Sequence, residues 1–277
     1  MLVATFSIVV FSCSDDKGDD PDNPSKSQVA NATKNQIKET FPGLRLDSIH
    51  SHESYGNIKL EYEDGLLVAY KECYPNGNVH DGVDFKLTYT PDTIYVNSYK
   101  AVIGENGLVE KLICPNGKVN QYNYDDQGHL VRYDVAVVNI QNKQYYEVTW
   151  ENDNVISLRN NYQDGGSWKF EDVFYDYYNE LNLAGILPPL RSYNWINDTG
   201  LSVGYGINEV LYYAGLLGRG TKNLLKSSYN RYSSGQGNQS YKFTYNLDGV
   251  GYVVSVSGSR IYGSYVEDPV TDEYFYQ

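Results

Sequence analysis

Residues whose types and spacing could support catalysis or metal binding are few in this chain. His50 and His52 alternate along a predicted strand, so both imidazoles would lie on one face and could supply two ligands of a zinc site. No third ligand follows at a suitable spacing, and exposed histidines are the alternative. The sequence contains no Gly-x-Ser-x-Gly elbow, no His-Glu-x-x-His pair and no phosphate-binding glycine loop. We therefore predict no bound metal and no cofactor.

A glycan hydrolase remains an alternative to a non-catalytic role. The two carboxylates of a glycosidase are set by their distance in the fold, and they leave no characteristic spacing in the sequence. The chain has 35 acidic residues scattered along its length, so the sequence neither identifies such a pair nor excludes it.

Aromatic residues are the strongest binding candidates, since the chain has 29 tyrosines, 8 phenylalanines and 3 tryptophans. Tyrosine suits the half-exposed face of a strand, so sheet surface is the first explanation of the excess, and platforms for sugar rings are the second. Trp168 follows two glycines and Trp150 ends a strand at a turn, so both are expected to be partly exposed. The candidate ligand-binding residues lie around two segments that interrupt the strands, and they are Tyr177, Tyr178, Tyr193, Trp195, Tyr212 and Tyr213. Their alternative role is packing in the core.

The chain has three cysteines, Cys13, Cys73 and Cys114. Cys73 lies three residues before the asparagine of an Asn-Gly turn, whereas Cys114 lies two residues before its own. If the two turns are alike, the side chains of Cys73 and Cys114 point to opposite faces of the sheet. A disulfide needs facing Cβ atoms, so free thiols are favoured over a bridge.

The first residues have the character of a lipoprotein signal peptide. Residues 1–12 are mostly apolar, and Val-Phe-Ser-Cys at residues 10–13 resembles a lipobox, in which Cys13 is lipidated and becomes the mature N-terminus. The segment 13–27 begins at this cysteine, and its remaining residues are polar or proline and glycine. This composition is typical of a disordered tether. Residues 28–277 then form a single domain, which we expect to be lipid-anchored at the outer membrane and exposed at the cell surface.

The net charge of −13 argues against two classes of partner. An acidic surface repels the phosphates of nucleic acids and of anionic lipids, so we expect neither to bind. Beyond the first residues, the sequence has no apolar run of about 18 residues, so no transmembrane helix is predicted.

The body of the chain has the pattern of consecutive hairpins. Residues 119–124 alternate with a period of two, residues 125–128 break the alternation with a turn sequence, and residues 130–134 resume it. Comparable turn signals recur at intervals of roughly 10 to 20 residues, which is typical of an antiparallel meander. Two segments interrupt this pattern: residues 179–190 are predicted as a short helix or loop, and residues 208–217 as a helical turn closed by Gly218.

Several short motifs carry a family resemblance, and they are Val148–Asn152, Leu181–Leu183, Ala214–Gly218, Lys222–Leu224 and Phe243–Gly249. With these motifs the chain resembles a family of Bacteroidetes lipoproteins, a domain of unknown function with a porin-like fold. The resemblance implies an all-β protein, in which an antiparallel β-meander is curled into a barrel-like, porin-like sheet with short helical interruptions. It implies no activity.

A closed sheet of many strands must have a filled interior. We expect the segments 179–190 and 208–217 to cover or plug an open end of the barrel. A barrel that spans a membrane needs an outward apolar face about 25 Å tall, and residues 118–124 and 230–242 show no consistently apolar face. The sequence therefore favours a lipid-tethered domain outside the bilayer.

The function that the sequence favours is a surface binding module for glycan, without catalysis. Such a module predicts exposed aromatic rings grouped in one cleft. A scaffold that binds another envelope protein is the first alternative, and it predicts a flat apolar patch or an open sheet edge. The hydrolase is the second alternative, and it predicts two carboxylates roughly 5 to 10 Å apart in a pocket.

Overall fold

The computed structural model describes residues 44–51, 57–73, 79–90, 93–135, 143–187, 206–232 and 239–277. The predicted signal peptide at residues 1–12, the lipidation site Cys13 and the tether at residues 13–27 lie outside the described residues. The same is true of the candidate ligand-binding residues Tyr193 and Trp195.

The described part of the chain forms 17 strands and one short helix. The strands are β1 Leu46–Ser51, β2 Asn57–Glu63, β3 Leu66–Cys73, β4 Val79–Tyr89, β5 Thr93–Val96, β6 Tyr99–Ile103, β7 Val109–Ile113, β8 Val119–Tyr124, β9 Leu130–Val135, β10 Gln144–Glu151, β11 Asn154–Asp164, β12 Ser167–Leu181, β13 Asn223–Tyr232, β14 Gln239–Leu247, β15 Val253–Tyr262, β16 Tyr265–Val266 and β17 Val270–Tyr276. The helix, α1, is Ile207–Tyr213 and lies between β12 and β13.

The strands close into a barrel. Each strand from β1 to β15 pairs antiparallel with the next, β15 pairs with β17, and β17 pairs with β1. The short strand β16 pairs only with the end of β15, so the barrel has 16 strands. This closed meander confirms the predicted fold class.

The turns form where the sequence indicated them. At the turn between β8 and β9, Asp125 Oδ1 accepts hydrogen bonds from the backbone N–H groups of Gln127 (3.0 Å) and His129 (2.8 Å). Gly128 in the same turn has φ = +81°, a conformation that costs glycine little. The side chain of an aspartate thus replaces backbone partners that the strand ladder cannot supply at a turn.

The inward positions of the wall are mostly apolar or aromatic, and they form the core. A stack of tyrosines crosses three strands: Tyr122 and Tyr133 lie 6.0 Å apart and Tyr133 and Tyr146 lie 4.5 Å apart, measured between ring centroids. Offset stacking of this kind contributes about 0.5–1.5 kcal/mol per pair beyond burial of the rings. Aromatic rings from adjacent strands therefore fix the register of β8, β9 and β10 from inside.

Residues 206–218, which we call the plug, fill the interior between opposite walls. Every residue of α1 is buried, including Asn208 and Glu209. On one side, Tyr122 of β8 donates a hydrogen bond to Asn208 Oδ1 (2.9 Å). On the other, Tyr213 accepts one from the backbone N–H of Leu187, whose carbonyl accepts one from Tyr274 of β17. Strands β8 and β17 lie on opposite sides of the ring, so these contacts place the plug within the barrel.

The prediction for the two interruptions is confirmed for one and corrected in part for the other. Residues 208–217 contain all of α1 except its first residue, and they occupy the interior, as expected for a plug. Residues 179–181 are the end of β12 rather than a helix or loop, because Leu181 still pairs with Asn223 of β13. Residues 182–187 then leave the strand and are held by Asn182, whose Oδ1 accepts a hydrogen bond from the N–H of Ile186.

The plug leaves the barrel beside the turns of two hairpins. The N–H of Arg219 donates to the carbonyl oxygen of Gly128 (3.3 Å), and that of Lys222 donates to the carbonyl oxygen of Asp153 (2.9 Å). Between these turns, the buried imidazole of His129 stacks on Trp150 and contacts Asp125 through Nδ1 (3.0 Å). The plug exit is therefore fixed to the rim by backbone hydrogen bonds as well as by packing.

The outer face of the barrel is rich in charged residues. Ion pairs on it include Lys71 with Glu61 and Arg132 with Asp134. Within the described ranges, no helix combines the length and the hydropathy needed to cross a bilayer.

Candidate binding surface

The structure places the predicted ligand-binding tyrosines in the core or at its edge. Tyr212 and Tyr213 belong to α1 and are fully buried, and burial raises the pKa of each phenol. Tyr177 donates a hydrogen bond to the carbonyl of Val155, and Tyr178 donates one to the carbonyl of Phe243. These contacts support the packing alternative for these four residues, while Tyr193 and Trp195 stay untested.

The other candidates from the sequence are dispersed. His50 on β1 packs against Phe275, with ring centroids 4.5 Å apart, and His52 lies outside the described residues. Cys73 at the end of β3 and Cys114 after β7 are free thiols. Among the described residues, no group of three or more His, Cys, Asp or Glu side chains could hold a metal ion.

A different group of residues lies together on the outer face of strands β9–β13. The cross-strand register aligns Arg132 with Glu147, Glu147 with Arg159, Arg159 with Asp172, and Asp172 with Arg231. This alignment produces one charged row that runs across five strands. Because side chains alternate along each strand, the positions two residues away form parallel rows on the same outer face.

Aromatic rings occupy the rows on both sides of the charged row. On one side lie Tyr145, Phe170 and Trp168, and the rings of Tyr145 and Trp168 meet edge to face at 5.5 Å. On the other side Phe174 pairs with Tyr229 across β12 and β13. Trp168 is 50% exposed and Tyr229 is 40% exposed. We call this group of rings and arginines the outer aromatic surface.

Two of the three arginines of the charged row are held in place by Asp172. Arg159 binds this carboxylate through Nε (2.6 Å) and Nη2 (3.1 Å), and Arg231 binds it through Nη2 (2.5 Å). Burial alone would raise the pKa of Asp172, but the hydrogen bonds from both guanidinium groups lower it below its ordinary value. Asp172 is therefore ionised near neutral pH and keeps both arginines in one geometry.

Each of the three arginines also lies over a ring. The guanidinium carbon of Arg132 is 4.0 Å from the ring centre of Tyr145, that of Arg159 is 4.7 Å from Phe170, and that of Arg231 is 5.2 Å from Phe174. Cation–π contacts of this kind contribute roughly 0.5–1 kcal/mol at exposed sites. These contacts hold the side chains of the surface in one arrangement in the absence of a partner. Trp168 and Tyr229 are the most exposed rings of the surface.

This surface can bind a partner with both apolar faces and polar groups. Aromatic faces accept apolar surface such as the C–H face of a sugar ring, while guanidinium N–H groups and carboxylates hydrogen-bond to hydroxyls. Sequence reasoning anticipated the exposure of Trp168 but missed the other four rings. The available signal was their alternation with charged residues along β10, β12 and β13, which does not by itself show which face is outside.

The fold defines a class: a closed antiparallel barrel that is filled by its own chain and charged outside. The sequence also assigns the chain to a protein family. Residues 115–255, about half of the chain, match the family described as a domain of unknown function (DUF4595) with porin-like fold, and the chain belongs to this family. The family assignment brings no activity with it, and no curated protein matches the sequence.

Two solved structures share the fold. A porin-like protein from Bacteroides uniformis superposes with a TM-score of 0.59 at 16% identity, covering 86% of this chain and 99% of that one. A porin-like protein from Bacteroides vulgatus gives a TM-score of 0.51 at 14% identity, covering 85% and 99%. At these identities the likeness concerns the fold alone.

Proposed function

We propose that this protein is a non-catalytic, lipid-anchored binding module of the bacterial cell envelope, and that it binds glycan on the outer aromatic surface. The observation that carries the proposal is that surface itself: five aromatic rings with ordered arginines on one face of β9–β13. The plug supports a role outside the barrel, because its buried helix joins opposite walls and occupies interior space.

The envelope location rests on the sequence. A lipid on Cys13 and a polar tether at residues 13–27 would hold the barrel some tens of ångströms from the membrane. The charged outer face suits a barrel that stands in water beside the bilayer rather than within it. Both solved relatives in fold come from Bacteroides, in keeping with the lipoprotein pattern of the first residues.

A scaffold that binds another envelope protein is the second candidate. Exposed tryptophan, tyrosine and arginine grouped on one face are also the residues that dominate the energy of protein interfaces. The version of this hypothesis that needs an open sheet edge is opposed by closure of the barrel through β1 and β17. The version that needs a patch would use the same outer aromatic surface.

Glycan binding is tested by affinity gel electrophoresis of the purified protein against a panel of polysaccharides. We expect retardation by at least one polysaccharide, and a loss of affinity of about tenfold or more in Trp168→Ala and in Tyr229→Ala, since central aromatic anchors are worth roughly 2 kcal/mol. Tyr95→Ala is the matched control, because Tyr95 on β5 is also 40% exposed and lies far from this surface.

The outcomes separate the two candidates. Retardation that survives Trp168→Ala and Tyr229→Ala would place glycan elsewhere on the molecule. A folded protein that no polysaccharide retards would contradict glycan binding. A photo-reactive group at Trp168, used on intact cells, would then identify a protein bound to the same surface.

A further inference from the structure

The inner wall of the barrel changes character along strands β10–β14. Near the plug exit, its inward positions carry apolar or aromatic side chains such as Val155 and Leu225. Toward the opposite end they carry polar side chains, and these are Gln144, Asn160, Glu171, Asn230 and Gln239. Hydrogen bonds show that the polar side chains face inward: Gln144 Nε2 donates to the hydroxyl of Tyr146 (2.6 Å) and to Asn160 Oδ1 (3.0 Å).

Two side-chain oxygens on β13, one of an amide and one of a hydroxyl, are buried in this polar region without a partner in the part of the chain that the structure describes. Asn230 is 1% exposed and Ser228 is 2% exposed, and neither Asn230 Oδ1 nor Ser228 Oγ has a hydrogen-bond partner among the described residues. The amide of Asn230 is oriented by its neighbour on β12, because Nδ2 donates to Glu171 Oε1 (3.4 Å). A buried polar group left unpaired costs about 1–3 kcal/mol, and such groups are rare in native proteins. Two of them close together therefore suggest that a ligand supplies the missing hydrogen bonds.

The carboxylate of Glu171 lies beside these acceptors without a cation of its own among the described residues. Burial raises its pKa, and hydrogen bonds from Tyr232 and Asn230 offset this effect only in part. Lys169, the next inward residue along β12, pairs instead with Asp164 across the hairpin turn. Glu171 is partly exposed and Lys169 is exposed, so solvent reaches the Glu171 side of this group, whereas Asn230 and Ser228 lie deeper.

We propose that Glu171, Asn230 and Ser228 bind a short aliphatic amine whose ammonium group lies against Glu171 and Asn230. An ammonium group carries three N–H donors and no acceptor, so it pairs with a carboxylate and an amide oxygen. Ser228 lies two residues before Asn230 on β13, which places it about 6.5 Å deeper in the barrel. Its hydroxyl oxygen accepts a hydrogen bond from the second N–H donor, at the far end of the ligand. A diamine with a four-carbon chain has this length.

Other ligand classes fit the group less well. An anion would meet the carboxylate of Glu171 and the amide oxygen of Asn230, and of these groups only the hydroxyl of Ser228 could donate a hydrogen bond to it. Calcium requires six to eight oxygen ligands, more than these side chains offer, and magnesium requires a near-ideal octahedron. The mouth of a barrel is a common place for a small-molecule site. The site lies inside the barrel and is independent of the outer aromatic surface.

Isothermal titration calorimetry on the purified full-length protein tests the proposal. The probes are 1,4-diaminobutane, butylamine and 1-butanol at neutral pH. We expect diaminobutane to bind more tightly than butylamine, and butanol to give no binding heat. Glu171→Gln should weaken both amines by about tenfold or more, since a hydrogen-bonded charge contributes more than 1.4 kcal/mol. Ser228→Ala should reduce the affinity for diaminobutane to that for butylamine and leave butylamine unchanged.

The control variant is Glu151→Gln, which removes an exposed carboxylate from the other end of β10. It measures the general attraction of amines to an acidic protein and should leave both affinities unchanged. Three results would overturn the proposal: no amine binding by the folded protein, equal weakening in Glu151→Gln and Glu171→Gln, or binding that Glu171→Gln leaves intact. If Glu171→Gln does not fold, Ser228→Ala decides, because loss of the preference for the diamine is required.

Discussion

Replacing Gly218 with alanine is expected to lower the free energy of unfolding by about 3 kcal/mol or more. Gly218 ends the plug with φ = +84°, where an added Cβ costs roughly 1–2 kcal/mol. The same Cβ would lie 2.1 Å from the carbonyl oxygen of Gly128, and overpacking against backbone costs a further 1–3 kcal/mol or so. Thermal unfolding should show a fall in Tm of roughly 6–12 °C.

Gly117→Ala is the matched control for this substitution. Gly117 also has a positive φ, +79°, but an added Cβ there would meet no atom within 4 Å. It therefore measures the conformational cost alone, about 1–2 kcal/mol. If Gly218→Ala and Gly117→Ala lose the same stability, the plug does not pack closely against the turn between β8 and β9.

The second large effect is expected from Leu211→Ala. Leu211 is completely buried in α1, between the walls that the plug joins. Truncation of a buried leucine costs about 2–5 kcal/mol, because the surroundings cannot fully collapse into the cavity. Chemical denaturation should show this loss as a lower midpoint with little change in the denaturant slope.

Leu181→Ala provides the comparison, since it removes the same atoms from an exposed position at the end of β12. We expect a change within about 0.5 kcal/mol at this surface site. Equal losses at Leu211 and Leu181 would mean that the plug contributes no packing to the barrel core.

The order of strands was predictable because each hairpin is a local structure. Asp125 and Gly128 specify one turn through their own hydrogen bonds and conformation, and the same holds for Asn116 and Gly117. A chain of such hairpins can only form a meander. Closure between β1 and β17 joins the two ends of the described chain, and local sequence carries no information about it.

The direction of each side chain was harder to predict from the alternation. In β8, Val119 lies outside and exposed, whereas Asn120 and Tyr122 lie inside and buried. Hydrophobicity alone would turn Val119 inward. The inner face is decided instead by the polar groups of the plug, since Tyr122 binds Asn208.

The same ambiguity about which face is outside explains why the sequence predicted tyrosines of the plug as ligand-binding residues. Tyr212 and Tyr213 are adjacent on a helix that is buried on every side, because walls of the barrel surround it. Tyr229, which is exposed on the outer aromatic surface, has no distinguishing feature in the sequence. Tyrosine is common on both faces of this sheet, so only the register and the closure separate packing residues from surface residues.

Hydrogen–deuterium exchange over residues 206–217 tests most directly whether the barrel is filled by its own chain. The backbone N–H groups of Ala214 and Leu216 bind the carbonyls of Val210 and Leu211 within the plug. A filled barrel predicts exchange as slow as in β8 and β17, since opening the plug requires opening the wall. Exchange as fast as in the exposed turn at residues 248–251 would contradict it.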